Sequence, residues 1–132
     1  MPRLRPFLIL AGLMAAVIPA TAQSIRNTVW KAYYKPVNDT VTLRFANDSS
    51  FVTTPTGAAI LLSTFKIKGD VIAFRDYDGL NACAADQSGS YHVKMNSDTL
   101  TLVMDEDPCS YRGGLMIVKS WVRVPAPAMP SQ

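Results

Sequence analysis

Residues 83–114 constrain this chain more than any other stretch, because they set a self-contained hairpin between its two cysteines. Tyr91, Val93 and Met95 alternate with His92 and Lys94. Beyond Asn96-Ser97-Asp98, Leu100, Leu102 and Met104 alternate with Thr101 and Val103. A strand points successive side chains to opposite faces, so each half has one apolar face to bury. The Asn/Ser/Asp turn makes the two halves antiparallel neighbours. Cys83 lies in the loop before the hairpin and Cys109 in the loop after it, and the rest of the fold must accommodate that bracket.

The rest of the chain repeats the pattern. Strands are expected at Thr28–Tyr34, Thr40–Phe45, Phe51–Thr54, Ile60–Lys68 and Val71–Arg75, then the hairpin, then an eighth strand at Leu115–Val124. Turn residues separate them, including Asn47-Asp48-Ser49-Ser50 and the two-residue Gly69-Asp70 loop. No stretch after the first 22 residues holds a helical apolar period, so the class is all-β. Pro36, Pro55 and Pro108 all fall in expected loops, as they must, since proline cannot donate to a sheet ladder.

Eight short strands in series predict an antiparallel up-and-down barrel. In such a meander the connections alternate between two ends. Connections 2–3, 4–5 and 6–7 are tight and share one end. Connections 5–6 and 7–8, the longest, share the other, and each carries one cysteine. A Cys83–Cys109 disulfide is therefore expected at the open end. Closing a loop of that length stabilises the fold by roughly 3.5 kcal/mol in the chain-entropy account.

The first 22 residues read as a secretory signal peptide. Arg3 and Arg5 supply the basic start, Phe7 to Ile18 an apolar run of twelve, and Ala20-Thr21-Ala22 the cleavage site. Twelve residues are too few to span a bilayer, and no second long apolar run follows, so no integral membrane segment is expected after cleavage. The expected organisation is signal peptide 1–22, barrel 23–124 and a proline-rich, disordered tail 125–132, in a periplasmic or secreted protein that uses its cysteines as a disulfide. Arg3 and Arg5 leave with the signal, which lowers the formal net charge from +3 to +1. A near-neutral domain with scattered basic residues has no electrostatic footprint for nucleic acid.

The order of strands, Asn27-Thr-Val-Trp30 and the arginine near the end of strand eight together resemble the lipocalin-like barrels of the calycin superfamily. Residues 64–76, Gly89-Ser-Tyr91 and Asp107-Pro-Cys-Ser-Tyr-Arg112 resemble small secreted bacterial members. The resemblance runs from Thr28 to Val124. It implies that Trp30 closes the end with the tight turns, that Arg123 packs on its ring, and that the other end is an open mouth.

Phe45, Phe65, Phe74, Tyr91, Val93, Leu100, Leu102 and Met104 form the inward set. The interior of an eight-stranded barrel is filled by side chains or holds one small ligand. In a carrier, Phe65, Phe74, Tyr91 and Leu102 would line the chamber, with Tyr33 or Arg112 as the polar group at the mouth. Arg112 has a competing role, pairing with the acidic segments Asp76-Tyr-Asp78-Gly79 and Asp105-Glu-Asp107. Those segments also offer oxygen ligands suited to calcium, but lack the register of an EF-hand loop. His92, the single histidine, alternates onto the solvent face, and no nucleophile–base–acid set can be assembled around it or around Ser88 and Ser90. The expectation is a non-enzymatic module without cofactor or metal. The leading role is binding a small apolar molecule. The alternative is a protein-binding module, such as a protease or lysozyme inhibitor, acting through the mouth loops.

Overall fold

A computed structural model describes residues 25–118 and 120–125. The expected signal peptide lies outside the described residues, as does the tail beyond position 125. Eight strands run in order: β1 (Thr28–Tyr34), β2 (Asp39–Phe45), β3 (Ser49–Thr53), β4 (Ala59–Lys68), β5 (Val71–Asp78), β6 (Gly89–Met95), β7 (Thr99–Glu106) and β8 (Trp121–Val124). Each pairs antiparallel with the next, and β8 pairs back onto β1, closing an up-and-down barrel. The expected fold class and the disulfide are both present, with Cys83 and Cys109 Cα atoms 6.0 Å apart. Among the described residues no helix is long and apolar enough to cross a membrane.

The alternation read from the sequence becomes the wall of the barrel. Trp30, Ala32 and Tyr34 point inward from β1, Val41, Leu43 and Phe45 from β2, and Ile72 and Phe74 from β5. Tyr91 and Val93 point inward from β6, Leu100 and Leu102 from β7. The tight turns hold one end shut, and Ile25 is buried beneath them just before β1. There the Trp30 indole N–H donates to the Thr28 hydroxyl at 2.8 Å, and that hydroxyl donates in turn to the Ile25 carbonyl. The Arg123 guanidinium stands 4.8 Å from the Trp30 ring centroid, while its backbone N–H bonds Asp98 of the hairpin turn at 2.8 Å. Arg123→Ala removes this stacking, so chemical denaturation should show about 0.5–2 kcal/mol less stability, with Arg123→Lys recovering part of it.

The connection between β7 and β8 departs from the expected layout. The eighth strand starts at Trp121 rather than at Leu115, and a two-turn helix, α1 (Ser110–Met116), precedes it. Tyr111, Arg112, Leu115 and Met116 share one helical face and are buried or nearly so, with Leu115 and Met116 inside the core. Gly113 and Gly114 are weak helix formers, which hid the helix from a propensity reading. What overrides them is the apolar face, which has a barrel to close. β8 pairs with only two residues of β7 and three of β1, and α1 fills the remaining mouth half of that gap. Its Tyr111 meets Tyr34 of β1 edge-on at 6.3 Å, and Gly113 lies close to the Met104 methyl of β7. Trp121 anchors the return, its indole N–H donating to the Met116 carbonyl at 3.2 Å.

A second irregularity shapes the mouth. Between Leu62 and Ser63 the β4–β5 register slips, so Tyr77 bulges out between Asp76 and Asp78. Gly79 then takes φ +124 and presses its backbone onto Ile60, where any Cβ would overlap the Ile60 carbonyl. The following amides, Leu80 and Asn81, bond the Ala59 and Ile60 carbonyls, so the β5–β6 loop rides on β4 before it crosses the mouth.

Candidate functional site

The mouth is organised around Arg112, carried inward by α1 with its side chain fully buried. Its Nε and Nη2 each donate to one oxygen of Asp107 at 2.8 Å, a bidentate pair. Nη2 also donates to the Gln87 carbonyl at 2.7 Å, and Nη1 stands 3.1 Å from Asp76 Oδ1. Asp76 points inward from β5 as the next alternate position after Ile72 and Phe74, and its side chain is as buried as that of Asp107. Two carboxylates against one guanidinium leave a surplus negative charge, which four neutral donors disperse. Ser63, directly opposite on β4, donates to Asp76 at 2.7 Å. The Cys83 amide donates to Asp76 and the Cys109 amide to Asp107, both at 2.9 Å. The Tyr91 hydroxyl donates to Asp107.

Disulfide and ion cluster are thus one unit. Each cysteine amide is held by one aspartate, and one arginine bridges both aspartates. Burial alone would raise the Asp107 carboxyl, but hydrogen bonds from Arg112, Tyr91 and the Cys109 amide outweigh it and hold the group below the usual carboxylate range. Burial and the hydrogen bond to Asp107 push the Tyr91 phenol well above its ordinary value. Burial alone would lower the Arg112 value, yet the two carboxylates raise it, so the guanidinium stays charged. Gly89 makes room for all this. It faces inward on β6, where a Cβ would overlap the Asp107 carboxylate. Gly89→Ala should therefore lower stability by about 1–3 kcal/mol through overpacking and shift the acid unfolding midpoint upward, read by thermal melts across pH.

The sequence-picked residues divide between the two faces of the wall. Phe65, Phe74, Tyr91 and Leu102 are buried together in the interior. Phe45 meets Phe65 at 5.5 Å and Phe74 at 6.3 Å, and Phe74 meets Tyr91 at 5.8 Å. Trp30, Phe45, Phe74 and Tyr91 have no surface that a water could reach. Tyr33 is a correction. Trp30, Ala32 and Tyr34 take the inward positions of β1, so Tyr33 points outward, 58% exposed, with its hydroxyl on Asn38 Oδ1 at 2.6 Å. It cannot line the interior. Arg112 takes the pairing role weighed against a ligand contact: it is joined to Asp76 and Asp107 beneath the mouth cap and does not stand at a solvent-facing opening. Met104, expected inside, is 39% exposed beside α1.

The acidic segments do not converge on a cation position. Asp76 and Asp107 belong to Arg112, whereas exposed Asp78 accepts the Gly79 amide and Asp105 accepts the Ser90 hydroxyl. Among the described residues no three ligating side chains are grouped. His92 lies on the outer face, 3.4 Å from Asp70 and 3.8 Å from Asp105.

Sequence reasoning points to the mouth loops but not to the apolar residues exposed on them. Leu80 is 76% exposed and Tyr77 56%, and Val37 and Ile117 are also exposed. All four stand in the connections or strand ends of the mouth. Leu80 borders a shallow cleft of about 420 Å³ with Ala58, Ala59, Leu62, Asp78 and Gly79. A loop leucine carries no periodic signal, and Tyr77, which continues the outward positions Ala73 and Arg75, lies beyond the expected strand end at Arg75. No family model matches the chain, and no curated protein or solved structure matches it either.

Proposed function

We propose that the protein is an exported protein-binding module of lipocalin-like build, whose mouth-end rim docks on a partner such as a protease or a lysozyme and blocks it. Export rests on the signal-like first 22 residues, and the lipocalin-like assignment on the strand order with Trp30 and Arg123 at the shut end. One observation carries the functional choice: the interior is packed with its own aromatics and capped by α1, while exposed apolar side chains gather at the mouth. Carriage of an apolar molecule, the role the sequence alone favoured, needs a chamber that these residues already fill. A rim held by a disulfide and a buried ion cluster is preorganised, so docking loses little loop entropy. The cleft beside Leu80 suits one apolar anchor from the partner.

The test incubates the mature protein with c-type and g-type lysozymes and with serine and cysteine proteases, following residual activity and complex formation. A complex weakened at least tenfold by Leu80→Asp with Tyr77→Asp supports the reading; both positions are exposed, so the fold should survive. In parallel, unfolded and refolded protein is titrated with fatty acids and small aromatics. A ligand at about 100 times its dissociation constant adds roughly 2.7 kcal/mol. Such a gain without inhibition of any enzyme would return the protein to the carrier class.

A further inference from the structure

The outer wall of β2–β5 carries a second feature, which meets the mouth cleft at Leu62. Outward positions there are Thr42 and Arg44 on β2, Ser49, Phe51 and Thr53 on β3, Leu62, Thr64 and Lys66 on β4, and Ala73 and Arg75 on β5. Acidic side chains reach this wall only at its margins, Asp39 and Asp78 towards the mouth and the turn residues Asp48 and Asp70 at the shut end. Ion pairs among the described residues join His92 to Asp70 and Asp105, and Arg112 to Asp76 and Asp107. Arg44, Lys66 and Arg75, all exposed, have no carboxylate partner among the described residues.

Between these cations the wall is apolar and indented. Arg44, Phe51 and Leu62 lie directly opposite one another on successive strands. A cleft of about 360 Å³ is lined by Thr42, Arg44, Phe51, Thr53 and Leu62. A second, of about 230 Å³, lies beside it against Thr64, Lys66, Ala73 and Arg75. Phe51 and Leu62 are half-buried floor rather than projecting knobs. Such a floor receives a side chain; a membrane-inserting face would present apolar groups outward.

We propose that this wall binds an extended acidic segment of a partner protein, with one apolar side chain seated on Phe51 and Leu62 and carboxylates flanking it on Arg44 and on Arg75 with Lys66. The spacing sets the pattern. Three strand intervals from β2 to β5 cover about 14 Å, and four residues of extended chain cover about 13 Å. Alternate side chains of an extended segment share a face, so the partner reads acidic–x–apolar–x–acidic. Asp78 lies opposite Leu62 on β5 and turns the second carboxylate towards Arg75, two positions along from Leu62's row.

The probe is a phage-displayed random heptapeptide library panned on the mature chain, with the triple variant Arg44→Glu, Lys66→Glu, Arg75→Glu as counter-selection. Enriched peptides should carry the acidic–x–apolar–x–acidic pattern. Their affinity should fall at least tenfold on the triple variant and weaken as ionic strength rises from about 0.05 to 0.3 M. Phe51→Ser should weaken binding without changing that salt dependence, and Ile117→Asp, at an exposed rim position that lines neither cleft, should leave it intact, which separates this wall from the mouth. A melting curve confirms that the triple variant folds; Arg75→Glu alone replaces it if it does not. No acidic consensus, or an enriched set that binds the variant equally well, overturns the proposal. So does sedimentation with phosphatidylglycerol vesicles that the triple variant abolishes while no peptide is enriched, which would assign the wall to a lipid surface.

Discussion

Replacing Arg112 with leucine lowers the unfolding free energy by about 3–5 kcal/mol at neutral pH, the range for stripping one partner from a buried ion pair. The expectation follows from what stays behind. Asp76 and Asp107 remain buried, and only the Ser63 hydroxyl, the two cysteine amides and the Tyr91 phenol still donate to them. The pH dependence separates this from a simple packing loss. In the native protein the Asp107 value is depressed, so its contribution is fully present above the unfolded carboxylate value near 3.9 and disappears as pH falls through the lower folded value. In Arg112→Leu the cation that lowered Asp107 is gone, so its value rises relative to the native protein. Acid then relieves the variant, and the stability gap narrows from pH 7 towards pH 4. Urea midpoints of both proteins across that window test it. A gap that stays constant with pH would mean the guanidinium acts as filler rather than as charge.

Removing the disulfide is the second large effect. Cys83→Ser with Cys109→Ser should destabilise the fold by about 3.5 kcal/mol, the loop-closure value for a bridge spanning 26 residues. The loss is also local. Once the bridge is gone, the middle of the β5–β6 loop is held by the Cys83 amide on Asp76 and by the Gln87 carbonyl on Arg112. Hydrogen exchange should therefore accelerate across residues 80–88, while the amides of β2 and β7 keep protection closer to the global value. Uniform acceleration everywhere would show that the bridge supports the whole barrel and not the mouth in particular.

Most of the wall was legible in the sequence and most of the mouth was not, for a physical reason. A strand advertises its buried face every second residue, so Val41, Leu43 and Phe45 announce their side of β2 without knowing their neighbours. The two ends follow from loop lengths, and that was enough to bring Cys83 to Cys109. Alternation from Ile72 and Phe74 puts Asp76 on the inward face, but nothing local says that a carboxylate can be buried there, because it is tolerable only with a partner, and that partner stands 36 positions away. The acidic segments offer Arg112 its partners, yet its depth depends on α1, which two glycines disguise. The run Leu115-Met-Ile-Val118 lacks alternation, and that was the available sign that the eighth strand begins later. Tyr33 was misplaced between faces for a different reason. β1 is apolar or aromatic on both sides near its end, so Tyr33 and Tyr34 are equivalent by composition, and only the count from Trp30 separates them.

The two cysteine amides anchored on Asp76 and Asp107 imply an order of events during maturation. Before oxidation, the bridged aspartates are expected to bring the backbones of the thiols together already, so that each sulfur meets the other at high effective concentration. The covalent bond then records a meeting that noncovalent folding arranged. Arg112→Leu should consequently slow the oxidation of the fully reduced chain and increase its capture as mixed disulfides with glutathione. A thiol-trapping time course reads both.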